Sequence, residues 1–149
     1  MKILVAIDGS EHSQAVVEEV IRRPWPTGTV VRLILVCWPF PYSPFVDPGL
    51  AEQAAKFDEI TRERGSKDAD SAARLIREKV PGLKVEVEVL QGSPERMIVE
   101  EAERWGADLI LVGSHGYSPI HRFLLGSVAQ SVVLHAPCSV EVVRKRNSS

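Results

Sequence analysis

Two hydrophobic patterns alternate along this chain. Ile3 to Ile7 and Leu109 to Val112 are short unbroken apolar runs, and Val30 to Val36 is a third, with only Arg32 interrupting. Unbroken hydrophobicity predicts strands covered on both faces, as in the middle of a parallel sheet. Between the runs the period lengthens. Ala15, Val16, Val17, Val20 and Ile21 mark one side of a helix that Ser10 caps and Pro24 and Pro26 end. Leu50 to Val80 predicts a long helix with Ala69, Ala72, Ala73, Ile76 and Val80 on its buried side, and Gly65–Ser66 as a point where it kinks or frays. Ser93 as cap and Pro94 at the first position open a third helix, whose stripe of Met97, Ile98 and Ala102 runs to about Trp105 before Gly106 stops it. A last helix covers Val128 to His135 and stops at Pro137, and a fifth strand covers Val140 to Val143.

One strand reads differently. Lys84 to Leu90 alternates Val85, Val87 and Val89 against Lys84, Glu86 and Glu88, which predicts a rim position with one wet face. Five strands alternating with four helices predict a doubly wound α/β fold in one domain over residues 1–149: a five-stranded parallel sheet in the order 3-2-1-4-5, Rossmann-like, with helices on both faces. In that order the winding reverses between the first and fourth strands, and ligands bind above their carboxyl ends, at Asp8 and Gly113.

Composition narrows the class without changing this picture. The 149 residues are 44% hydrophobic and 26% charged with a net charge of −2, which speaks against nucleic acid or a membrane surface as partner. No apolar run approaches a membrane span, and Met1 leads straight into strand-like sequence rather than a signal peptide, so a cytoplasmic location is expected. Cys37 and Cys138 read as reduced core thiols. Cys37 to Gly49, with four prolines and four aromatic residues, reads as an irregular excursion, a lid or a contact surface.

The candidate chemistry lies where the fourth strand ends. Gly113–Ser114–His115–Gly116 is followed nine residues later by Gly126–Ser127 and a helix. Glycines let backbone approach a ligand, and a new helix offers unpaired N–H groups to an anion, so the pattern predicts a phosphate cradle, against the alternative of a tight strand–loop–helix turn with no ligand. There is no GxxxxGK[ST] and no GxSxG, and no His, Cys, Asp or Glu spacing that suggests a metal cluster.

The pattern Gly113-x2-Gly116-x9-Gly126-Ser127, with Asp8 closing the first strand, resembles the nucleotide-binding branch of the universal stress protein family, from Ile3 to Arg144. The resemblance implies an adenine nucleotide, ATP or AMP, with Mg²⁺ carried on its phosphates. Gly113 and Gly116 would let the backbone wrap ribose and phosphates. Amides of Gly126, Ser127 and Val128 and the Ser127 hydroxyl would meet phosphate. Asp8 would accept from ribose hydroxyls or ligate the phosphate-bound Mg²⁺, or act as a turn carboxylate. The resemblance places Val36 backbone at the adenine edge, with Ala6 lining the same pocket. Ser114 and His115 lie within the motif, and His121–Arg122 sits midway along the loop, where a cation would meet phosphate charge. His12 and His135 read as helix-surface or helix-end residues.

The resemblance also implies a homodimer paired through the last strand. Here that strand departs from the family pattern: Ser139 stands where a proline is common, and Glu141 would approach its symmetry mate unless a partner's Arg144 or Lys145 reached it. A nucleotide-dependent stress or signalling protein is the expected function. A slow Mg²⁺-dependent ATP hydrolase, with His115 or His121 positioning water, and a ligand-free dimerisation module are its rivals.

Overall fold

A computed structural model of the chain describes residues 1–41, 43, 45, 47–115 and 124–146. Five parallel strands, β1 (Lys2–Ile7), β2 (Val30–Cys37), β3 (Lys84–Gln91), β4 (Leu109–Gly113) and β5 (Ser139–Val143), form one sheet in the order β3-β2-β1-β4-β5. The two continuous apolar runs are neighbours, with Ile3 opposite Leu109, and the alternating strand is at the rim, both as expected. Among the described residues no helix is long and apolar enough to cross a membrane.

Two hydrophobic layers hold the helices to the sheet. On one face α1 (Glu11–Arg22) and α2 (Ala51–Lys79) pack Val16, Val20, Ala69, Ala73 and Ile76 against Val5 and Leu33. On the other, α3 (Pro94–Trp105) and α4 (Ser127–His135) pack Ile98, Ala102, Ala129 and Val132 against Leu4 and Ile110. Alternate residues of each strand feed opposite layers, which is why both faces demand apolar side chains. Ser10 caps α1 by accepting the Ser13 N–H at 3.4 Å. Ser93 stands at the cap of α3 but makes no side-chain capping bond, contrary to the expectation.

Gly65 does not break α2, which is one helix from Ala51 to Lys79 preceded by a 3-10 turn at Pro48–Leu50. The glycine is instead where the helix touches β2. A Cβ at position 65 would lie 2.8 Å from Leu35 Cδ2 and 3.1 Å from Cys37 Sγ. Gly65→Val should therefore lower stability by about 2 kcal/mol despite removing a glycine from a helix interior, because overpacking outweighs the propensity gain. Urea unfolding measures this, and an increase in stability would contradict the close approach.

The wet face expected for β3 is an ion network. Arg32 of β2 reaches across to Glu86 at 2.7 Å and to Glu101 of α3 at 2.7 Å, and lies against the Trp105 ring. At the other edge, Glu141 of β5 is clamped by Arg23 of the same chain through two hydrogen bonds of 2.5 and 2.6 Å. Its charge is thus answered within the chain itself. Lys145 folds back to Glu11 at 2.6 Å.

Candidate functional site

The carboxyl ends of β1 and β4 come together as the winding reversal requires. After β1 the chain turns at Asp8. Its Oδ1 accepts from the Ser10 N–H at 2.9 Å and the Ser13 hydroxyl at 2.5 Å, and its own N–H donates to Ser13 Oγ at 2.7 Å. The turn-carboxylate role is therefore real. It occupies one oxygen and leaves Oδ2 without a partner among the described residues.

After β4 the Ser114 N–H donates to the Val143 carbonyl at 3.0 Å, continuing the strand's line toward β5. The Gly126 N–H then donates to the Ser114 carbonyl at 2.7 Å, tying the two arms of the glycine motif at their base. From that tie α4 begins. Gly126 is its N-cap in extended conformation, and no side chain caps it. The first amides of α4, those of Ser127, Val128 and Ala129, have no carbonyl one turn earlier to bond.

A cavity of about 670 Å³ opens above this edge. It is within the usual size for a small-molecule site. Ala6, Val36, Ile98, Val112 and Val128 give it an apolar wall on the α3/α4 side. Leu35, Cys37, Thr61, Arg64 and Gly65 line the α1/α2 side, and Asp8 and His115 stand between. Burial pushes the Cys37 thiol up, so it stays protonated at neutral pH and offers no nucleophile.

Of the expected site residues, Ala6, Asp8, Val36, Gly113, His115, Gly126, Ser127 and Val128 line this one cavity. Ser114 is behind them: it is buried, and its hydroxyl lies 3.1 Å from His115 Nδ1. Gly116, His121 and Arg122 lie outside the described residues. His12, expected on a helix surface, packs against His115 with ring centroids 5.3 Å apart, whereas His135 is at an exposed helix end bonded to the Ser131 carbonyl.

The wall from α2 was not anticipated. Phe57, Thr61, Arg64 and Asp68 recur at helical spacing and face the cavity, and Arg64 is the one lysine or arginine among its described lining residues. The signal was the spacing, but choosing which side of a mostly polar helix meets a ligand needs the position of Gly65 on β2. The excursion after β2 also contributes Trp38, Pro39 and Pro41. It is pinned to α2 by the Phe40 N–H donating to the Asp58 carboxylate at 2.8 Å and by the edge contact of Phe40 with Phe57.

Comparison with known proteins agrees with this fold. The family description "Universal stress protein family" matches residues 1–144. Universal stress protein MJ0531 of Methanocaldococcus jannaschii is 34% identical over 97% of this chain and 82% of its own. Among solved structures, the M. jannaschii protein MJ0577 superposes with a TM-score of 0.83 at 26% identity, covering 99% of this chain and 97% of that one. A universal stress protein from Archaeoglobus fulgidus in complex with dAMP superposes with a TM-score of 0.58 at 25% identity, over 96% and 97% of the two chains.

Proposed function

The chain belongs to the universal stress protein family, and on that premise we propose that it is an ATP-binding stress or signalling protein whose output depends on whether this cavity is filled. The observation that carries the proposal is the start of α4. Its first-turn amides have no side-chain cap, border the cavity, and rise from a glycine motif tied shut at its base. Such a terminus attracts an anion through both its free N–H groups and its dipole. The dAMP held by the Archaeoglobus relative favours an adenine nucleotide.

In this reading the apolar wall of Ala6 and Val36 takes the base, and Asp8 Oδ2 accepts from ribose or ligates Mg²⁺ on the phosphates. Gly113 and Gly116 give the backbone room. Gly126, Ser127 and Val128 meet the phosphates, with His115 and Arg122 beside them. The residues present fit such a ligand, because the donors at α4 and the acceptor at Asp8 each lack a partner among the described residues. In this reading the cavity binds rather than turns over its ligand, since filling a site accelerates chemistry only where the transition state is favoured over the ground state. The same reading takes the protein as a cytoplasmic homodimer paired through β5, whose outer edge is free of Glu141 repulsion because Arg23 holds that carboxylate.

Nucleotide released from denatured protein, identified by mass spectrometry, together with titration by ATP and AMP, tests the proposal. Bound adenine nucleotide and millimolar or better affinity are expected. The absence of both removes it.

A further inference from the structure

We propose that His12 and His115 form a binding site for a divalent transition-metal cation of the zinc, nickel and copper class. The inference does not depend on the nucleotide reading. His12 is in the first turn of α1 and His115 lies two residues beyond β4, so only the pairing of β1 with β4 brings them together. Their ring centroids are 5.3 Å apart with the planes inclined at 54°.

Each ring carries a buried nitrogen with no hydrogen-bond partner among the described residues, Nδ1 of His12 and Nε2 of His115. His115 is only 9% exposed. A buried polar atom left unpaired is costly, and one cation between the neighbouring rings would satisfy both. Imidazole nitrogens are good ligands for the later first-row divalent metals and poor ones for Mg²⁺.

Three further features agree. Two imidazoles sharing a tetrahedral cation at about 2 Å per bond hold their centroids about 5 Å apart, close to the separation seen. The Ser114 hydroxyl, 3.1 Å from His115 Nδ1, occupies the nitrogen that a metal-bound histidine commonly gives to an outer-shell partner, so Nε2 is the one left to ligate. Gly113 permits the approach. A Cβ there would lie 3.2 Å from His12 Cβ and 3.3 Å from the backbone oxygens of both histidines. Two protein ligands leave the remaining positions to water, or to an oxygen of a phosphate in the adjoining cavity.

The test uses full-length, tag-free protein stripped of metal and titrated with Co²⁺ and Zn²⁺ by calorimetry and visible absorption. One equivalent per chain at micromolar affinity is expected. His12→Gln and His115→Gln should each weaken it at least tenfold, while His135→Ala leaves it unchanged. Proton NMR of the wild type needs no variant: Co²⁺ should broaden the imidazole signals of His12 and His115 first. Failure of the wild type to bind either metal overturns the site. So does undiminished binding by the folded glutamine variants, or broadening centred on His121 or His135. Titration with AMP and ATP in the presence of a chelator reports on the nucleotide reading separately, so either proposal can fail while the other stands.

Discussion

Replacing Arg32 by alanine is expected to destabilise the fold by about 3 kcal/mol, the cost of breaking a largely buried ion pair from one side. Arg32 is 14% exposed in its side chain and Glu101 only 4%. The guanidinium donates to Glu86 through Nε at 3.0 Å and Nη2 at 2.7 Å, and to Glu101 through Nη1 at 2.7 Å, with its plane near the Trp105 ring at 4.4 Å. Without it Glu101 keeps Arg104, while Glu86 and Glu88 of β3 lose the charge they face across the strand pair. Arg32→Met combined with Glu101→Met should recover part of the loss, since it removes the buried Glu101 carboxylate while Glu86 keeps Lys84 and Glu88 keeps Arg104. Urea midpoints of the two variants and the wild type measure this, and equal stability of Arg32→Ala and wild type would sink it. Acid dependence follows from the same contact. Hydrogen bonding to Arg32 holds the Glu86 carboxyl below its ordinary 4.5. Its folded pKa is depressed, so its contribution is complete above about 4.5 and fades as pH falls through the lowered value. Arg32→Ala should flatten that part of the pH–stability curve.

The sheet was legible because its signals are local. Unbroken runs at Ile3–Ile7 and Leu109–Val112 mark strands covered on both faces, and the alternation from Lys84 marks a rim, so with the strand–helix alternation and right-handed crossovers the strand order follows. What could not be read is what one element asks of another. Arg32 registers in sequence only as an interruption, because the carboxylates that justify it belong to β3 and α3. Gly65 looks like a weak point in a helix until the helix is laid on Leu35 and Cys37. Glu141 threatens an edge strand until Arg23, from the far end of α1, claims it. The cavity divides in the same way. Its glycine motif and Asp8 are contiguous with strand ends and were visible. The α2 wall reaches it, and His12 reaches His115, only through packing.

Ser127→Asp should move stability and binding in opposite directions, and therein separates a lost ligand from a lost fold. Ser127 is the first residue of α4, borders the cavity, and follows a cap that supplies no side-chain acceptor. A carboxylate in the first turn of a helix meets the positive end of the dipole and gains roughly 0.3–1 kcal/mol. The melting temperature should therefore hold or rise. The same carboxylate would stand where phosphate is proposed to bind. Two unit charges about 4 Å apart repel by roughly 4 kcal/mol at a dielectric near 20, so a loss of at least about a hundredfold in ATP affinity survives allowance for solvent screening. Adenosine carries no phosphate and should bind Ser127→Asp nearly as it binds the wild type. The contrast between these ligands is the decisive measurement. If both weaken alike, the variant has disturbed the cavity as a whole. If ATP affinity is unchanged, the start of α4 is not where the phosphates lie, and the amides of Ser127 and Val128 hold something else.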